Sequence, residues 1–299
     1  RQPLLVGAAQ SPRRPVTRYL VAGAGGMLGR DLQIALRGHE VTAASRSDLD
    51  ITDAAAVLEA VAGHDVVINA AAYTRVDDAE SDEPAALLIN GVGAGNLAAA
   101  AAAHGASLVQ ISTDYVFDGT ATSPYAEDTP LAPVSAYGRT KAEGERRALE
   151  NNPGRTWIVR TAWLYGEHGP NFAKTMLRLA SQRDQVGVVT DQVGQPTWTL
   201  DLARQLVALV EGAAPFGVYH ATNSGVASWF DFAAAVFAEA GLDPARVTPT
   251  DSAAFVRPAP RPAYSVLGHS AWAEAGIPPL RPWREALAEA VRTGAVTAG

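Results

Sequence analysis

Tyr137 and Lys141 stand four residues apart in Tyr-Gly-Arg-Thr-Lys. On a helix, positions i and i+4 share one face, so the phenol and the ammonium sit side by side. A phenol normally releases its proton near pH 10. An adjacent cation favours the phenolate and is expected to lower that value, bringing proton exchange close to neutrality. The planar fork of arginine replaces a compact ammonium poorly. Lysine at 141 therefore stands out in a chain with 24 basic residues and Lys only at 141 and 174. About two dozen residues earlier, Ser112 and Thr113 close an apolar run, in Ile-Ser-Thr-Asp-Tyr-Val-Phe-Asp-Gly from 111 to 119. A hydroxyl at such a strand end can hydrogen-bond a substrate carbonyl. These groups together suit the reduction or oxidation of a carbon–oxygen bond, with Tyr137, Lys141 and Thr113 as the catalytic candidates.

A phenol, a hydroxyl and an ammonium supply no electrons, and the sequence carries a feature that would bind a carrier of them. Gly23-Ala-Gly-Gly-Met-Leu-Gly29 lies between an apolar run and a helical pattern. Gly23 permits the tight turn, Gly26 lets backbone approach a pyrophosphate, and Gly29 allows close helix–sheet packing. The helix start adds free N–H groups and a positive dipole end. The second strand ends in Ala-Ala-Ser45-Arg46, without the acidic residue that bonds an NAD ribose diol. A guanidinium there can hold a 2′-phosphate, which favours NADPH and leaves NADH as the other candidate.

The elements that must position these residues alternate strand and helix. Strands are expected at 19–23, 39–43, 65–70, 106–112 and 156–160. Helices are expected at 27–36, 53–62 with Asp53 as N-cap, 83–104 and 136–150. Short apolar strands separated by helices predict an α/β fold, a Rossmann-type doubly wound parallel sheet with helices on both faces. This domain is expected over 18–165, with segments near 186–215 returning to it. Residues 166–299 are expected to form mainly a smaller α/β substrate-binding lobe. It would hold helices at 171–183, 199–211, 228–240 and 283–292, strands at 186–189 and 217–220, and a Pro-rich loop at 251–262. Residues 1–17 read as a flexible leader outside the fold.

Composition narrows the class. The 299 residues are 47% hydrophobic and 18% charged with net charge -7, which fits a globular chain with a large core and argues against disorder. A pI near 5.4 argues against a nucleic-acid-binding body. There is no Cys, hence no disulfide or thiolate chemistry, and the six His residues lack paired metal-ligand spacing. No continuous apolar run reaches the roughly 20 residues of a membrane span. A cytoplasmic location is expected, without membrane or nucleic-acid partners, and a homodimer is a candidate assembly. Asp118, Glu127 and Asp128 read as solvated loop carboxylates, and Lys174 faces solvent or a phosphate.

The glycine turn, the strand-end Ser/Thr and the Tyr/Lys pair, in that order, resemble the extended short-chain dehydrogenase/reductase superfamily. Four further strings resemble the dTDP-4-dehydrorhamnose reductase family over nearly the whole chain from Thr17: Asn69-Ala-Ala-Ala-Tyr-Thr-Arg-Val-Asp-Asp-Ala-Glu80, Ser112-Thr-Asp-Tyr-Val-Phe117, Val159-Arg-Thr-Ala-Trp163 and the helical stretch 171–180. The resemblance implies an NAD(P)H-dependent reduction of the 4-keto group of a dTDP-linked 4-keto-6-deoxysugar, giving a deoxysugar such as dTDP-L-rhamnose. It implies Tyr137 as proton donor with Lys141 and Thr113, and Thr113, Asp114, Tyr115, Trp163 and Arg261 around the sugar nucleotide. Gly26, Met27 and Leu28 would face the pyrophosphate, Ala70, Ala71 and Ala72 would run along the cofactor, and Asp50 and Ile51 would meet the adenine. Arg261-Pro262 with Ser265 and Leu267 resembles a C-terminal motif near the substrate. The family position at Ser45 is often acidic. Two other readings stay open: a nucleotide-sugar epimerase of the same superfamily, and a non-catalytic NADP-binding regulatory subunit. A 4,6-dehydratase is disfavoured, because Tyr115 stands where those enzymes carry Glu.

Overall fold

The computed structural model describes residues 16–297. The expected leader over 1–17 lies, apart from its last two residues, outside the described residues. The first half builds β1 (Arg18–Ala22), α1 (Met27–Ala35), β2 (Glu40–Ala44), α2 (Ala54–Val61), β3 (Val66–Asn69), α3 (Glu83–His104), β4 (Ser107–Thr113), α4 (Ala136–Asn151) and β5 (Thr156–Thr161). The second half adds α5 (Phe172–Ala180), β6 (Val186–Val189), α6 (Thr199–Glu211), β7 (Gly217–His220), α7 (Trp229–Glu239), β8 (Val247–Thr250) and α8 (Trp283–Arg292).

Six strands form one parallel sheet in the order β7-β5-β4-β3-β1-β2. The chain runs outward from β1 to β2 and then crosses back to β3 on the other side of β1. The direction of winding reverses there, between β1 and β3, the usual ligand position in open α/β sheets. Alternation along β1 sends Tyr19 and Val21 to the face covered by Leu28 and Leu32 of α1 and Leu202 and Leu206 of α6. Leu20 and Ala22 turn to the opposite face with Val57, Val61, Leu97 and Ala148. Asp53 caps α2 by accepting from the N–H groups of Ala55 and Ala56, as its position predicts.

The second lobe has its own core. β6 pairs with β8, and Val186, Val188 and Val247 pack with Met176, Leu177, Phe232, Phe237 and Leu287. This differs from the sequence expectation, in which 186–215 returns to the first domain. Only α6 does so, joined by β7 and by Trp272 and Leu280, while β6 stays in the second lobe. β8 and the short helix Ser270–Glu274 carry too little periodic signal over four and five residues to be read in advance.

α3, expected over 83–104, is 22 residues long and apolar enough by length and composition to cross a membrane, although Asn90 and Asn96 interrupt its apolar residues. Here it is a core helix, with Leu97, Ala98 and Ala101 fully buried against the sheet.

Candidate active site

The sheet's C-terminal edge collects the predicted residues. The first group surrounds the glycine turn. Gly23 has φ +80, and a Cβ there would lie 2.5 Å from the Ala71 nitrogen. A Cβ at Gly29 would lie 2.2 Å from the Gly23 carbonyl oxygen, so Gly29 seats α1 on the turn itself rather than on the sheet. Gly26 is the N-cap residue of α1 and brings no side-chain acceptor to the helix start. The first-turn N–H groups, those of Met27 and Leu28 among them, therefore lack intrahelical partners and suit an anion. Glycines without room for a Cβ beside a bare helix start fit a dinucleotide. Ala70 and Ala71 line the turn directly.

The other cofactor candidates fall less uniformly. Arg46 is exposed, and the charge of Asp50 lies near it. The β2 end is not free of carboxylate, as the sequence reading has it: Asp48 turns back and accepts from the Ser45 N–H at 2.9 Å and the Ser45 hydroxyl at 2.5 Å. Asp50 accepts from the N–H and hydroxyl of Thr52. Ile51 and Leu28 are core side chains, 6% exposed each. Ile51 fills the space opposite Gly93, so it presents no ring-stacking face.

The second group is catalytic in type. Ser135 caps α4 by accepting from the Gly138 N–H at 3.0 Å. A Cβ at Gly138 would meet the Tyr115 carbonyl oxygen at 2.2 Å, so glycine after Tyr137 lets the helix press onto the loop that follows β4. The Tyr115 and Tyr137 rings meet edge to face at 5.6 Å. One turn along, Lys141 is 4% exposed and donates from Nζ to the Ile111 carbonyl oxygen at 2.6 Å, which pins the ammonium under the end of β4. The Thr113 hydroxyl donates to Asp114 Oδ1 at 2.9 Å.

Electrostatics differ from the sequence expectation at Tyr137. Its phenol is pushed above its ordinary value, first by burial and then by the Asp114 charge, with the Thr113 hydroxyl opposing. The Lys141 ammonium is engaged by Ile111 and does not offset this. Tyr137 thus keeps its proton at neutral pH. Burial lowers the Lys141 ammonium to about 8, opposed by the nearby Glu145 carboxylate. Burial raises Asp114 to about 6, opposed by Ser265 and Thr113. Ser112 Oγ, Asp114 Oδ2 and Ser265 Oγ are buried without a completed hydrogen bond among the described residues. Unpaired buried polar atoms are costly and rare; the Asp114 and Ser265 side chains lie close enough to act on one another, and their remaining hydrogen-bonding capacity suits a polar ligand.

The second lobe approaches this group through Ser265, which acts on Asp114, and Trp163. Trp163 holds φ +49, a left-handed backbone that costs a bulky residue about 1–3 kcal/mol. Its indole stacks on Trp229 at 3.6 Å and lies against Gly194, where a Cβ would come within 2.7 Å of the ring and 3.0 Å of Ser265 Oγ. Arg261 donates to Asp77 Oδ1 at 2.8 Å, and both charges act on the Tyr115 phenol.

Two features escaped the sequence reading. Asn90 lies in a π-helical segment of α3, Leu88–Gly93. Its side chain accepts from the Tyr73 N–H at 2.8 Å and donates to Thr140 Oγ1 at 3.0 Å, joining the loop after β3 to the Tyr137 helix. Asn90 and three glycines, Gly91, Gly93 and Gly95, inside an alanine-rich helix were the available signal. Beneath α4, Arg160 binds Glu145 with two bonds at 2.9 and 2.8 Å, both side chains 4% exposed. His220 lies 3.2 Å from Arg160 and is driven down to about 3 by burial and then by that charge. Two of the three loop carboxylates are structural: Asp118 accepts from the Tyr125 hydroxyl, and Glu127 from Ser270 and the Ala271 N–H. Lys174 donates to the Glu167 carbonyl.

The model of the RmlD substrate binding domain family matches residues 17–296. The chain is 55% identical over 283 residues to a dTDP-4-dehydrorhamnose reductase of Streptomyces griseus, covering 92% of this chain and 93% of that one. It is 52% identical over 277 residues to a dTDP-4-keto-6-deoxy-D-glucose reductase of Streptomyces niveus, covering 91% and 96%. Among solved structures, the dTDP-4-dehydrorhamnose reductase of Bacillus anthracis in complex with NADP superposes with a TM-score of 0.89 at 37% identity, covering 93% of this chain and all of that one. The chain belongs to the dTDP-4-dehydrorhamnose reductase family.

Proposed function

We propose that this protein reduces the 4-keto group of a dTDP-linked 4-keto-6-deoxysugar with NADPH, and that Tyr137 is the proton donor. The observation carrying the assignment is the Tyr137–Lys141 face of α4 under the end of β4, with Tyr137 half-buried and Lys141 buried, close to Thr113 and Asp114. When bound, the reduced nicotinamide supplies the hydride that reaches C4. The Gly26–Gly29 helix start holds the pyrophosphate, and Arg46 with Ser45 receives the ribose end.

The residues perform the remaining steps. The Thr113 hydroxyl donates to the keto oxygen, giving up its present bond to Asp114. Tyr137, protonated at neutral pH, passes its proton to the oxygen as negative charge grows there. Lys141, one turn away, turns its ammonium from the Ile111 carbonyl to stabilise the resulting phenolate. Asp114 and Ser265 pair with sugar hydroxyls, and the stacked Trp163 covers the ring. A cytoplasmic location accords with the biosynthetic relatives. Absorbance at 340 nm with dTDP-4-keto-6-deoxyglucose or its epimers tests the activity, with NMR of the product fixing the configuration. Tyr137→Phe is expected to retain NADPH binding by fluorescence and to lose at least about 100-fold in turnover, the usual worth of a general acid. Near wild-type turnover would refute the assignment.

A further inference from the structure

One helical turn after β3, Val76–Ala79, and its C-cap residue Glu80 carry the carboxylates of Asp77 and Glu80, which hold two different parts of the site. Asp77 Oδ1 accepts from Arg261 Nη2 at 2.8 Å and from the Ala259 N–H at 3.2 Å, and Arg257 approaches Oδ2 at 3.9 Å. The 257–264 strap is anchored at its other end too. Pro262 packs so closely on Gly119 that a Cβ there would lie 2.5 Å away, and the Tyr264 N–H donates to the Gly119 carbonyl at 3.0 Å. Arg261 is therefore held between two fixed points, with its Nη1 donating to the Ala259 carbonyl at 3.1 Å. Of its five donors, these bonds engage two and aim the fork.

Three residues beyond Asp77, Glu80 Oε1 accepts from the Ala136 N–H at 2.8 Å. Ala136 is the first residue of α4, and its N–H has no intrahelical partner. A carboxylate there also meets the positive end of the helix dipole. Tyr137 is the next residue along. The same turn thus fixes the strap that presents Arg261 and the start of the helix that presents the phenol.

We propose that Asp77 and Glu80 are positioning residues for the reduction: Asp77 orients Arg261 toward the anionic nucleotide-sugar, and Glu80 sets the placement of Tyr137. This rests on the reading above that Arg261 meets the substrate. Because the turn is short and follows the buried strand β3, it holds the anion-binding fork and the proton donor in one fixed relation. Substrates with the same sugar but a displaced diphosphate then bind out of reach of the phenol.

The test measures KM and kcat for a dTDP-4-keto-6-deoxysugar with Asp77→Asn, Glu80→Ala, Glu80→Gln and Arg261→Ala, each checked for an unchanged thermal transition. Asp77→Asn keeps an acceptor for Ala259 but removes the charge. A charge-assisted bond of this kind is worth about tenfold or more, so KM is expected to rise about tenfold with kcat nearly constant. Glu80→Ala is expected to lower kcat about tenfold with KM nearly constant, and Glu80→Gln, which retains the acceptor for Ala136, to restore it. In Asp77→Asn/Arg261→Ala, KM should rise no further than in Arg261→Ala alone. An Asp77→Asn KM within twofold of wild type while Arg261→Ala raises it overturns the role of Asp77 and leaves that of Arg261 standing. An unchanged KM in Arg261→Ala overturns the substrate contact itself. Glu80→Gln as slow as Glu80→Ala overturns the role of Glu80.

Discussion

Asp114 offers a measurement that separates function from stability. It is 2% exposed, and its Oδ2 lacks a completed hydrogen bond. Burial lifts its carboxyl from an ordinary value near 3.8 to about 6. A raised acid pKa means the folded state holds the proton more tightly than the unfolded state. The favourable contribution is full below 3.8 and is lost as pH rises to about 6. Above that, the ionised carboxylate is a net cost. A displacement of about two pH units at 1.36 kcal/mol each gives about 3 kcal/mol. Asp114→Asn removes the ionisation and keeps Oδ1 as acceptor for the Thr113 hydroxyl. The variant is expected to be more stable than wild type at pH 8 by up to about 3 kcal/mol, and no more stable at pH 4. At roughly 2 °C per kcal/mol for a chain of this size, the gain at pH 8 is about 6 °C in Tm. Thermal unfolding of both proteins from pH 4 to 8, followed by circular dichroism, reads it directly. Turnover should fall in the same variant, since strain in a site is retained for its use. A Tm difference independent of pH, or a variant less stable at pH 8, refutes the reasoning.

Further outcomes follow from three contacts. Lys141 is charged below about 8, so kcat should hold through neutrality and decline as pH rises past that value. Lys141→Arg should not restore the rate, because the fork cannot repeat the 2.6 Å bond to Ile111 in the same space; stopped-flow turnover from pH 6 to 10 checks both. Gly138→Ala forces a Cβ to within 2.2 Å of the Tyr115 carbonyl, so α4 must shift, and a displacement near 1 Å should cost about 100-fold in kcat in steady-state assays. Arg160→Met leaves Glu145 buried and unpaired, which should destabilise by about 3–5 kcal/mol in thermal unfolding, whereas Arg160→Met/Glu145→Leu should recover much of that loss.

Much of this was legible in the chain because it depends on local rules. The glycine turn, the alternating strands, the Asp53 cap and the Tyr137–Lys141 spacing each follow from short-range geometry. What was not legible depends on partners distant in sequence. Ile51 turning into the core depends on Gly93, some forty positions on in α3. The raised phenol at Tyr137 depends on burial, which no spacing reports. The Asp77–Arg261 pair joins residues 184 positions apart. β6 read correctly as a strand over 186–189, yet its partner at 247–250 decided which lobe it serves.

The chain passes between the two bodies again and again. It enters the second lobe after β5, returns to the sheet with α6, leaves after β7, comes back near Trp272 and Leu280, and leaves once more into α8. Neither lobe is a continuous stretch, so no single cut in the chain releases either one whole. A chimera that grafts a relative's sugar pocket by one junction would also replace α6 and the edge strand β7. Altering the specificity of this scaffold therefore calls for scattered point changes rather than the exchange of a module.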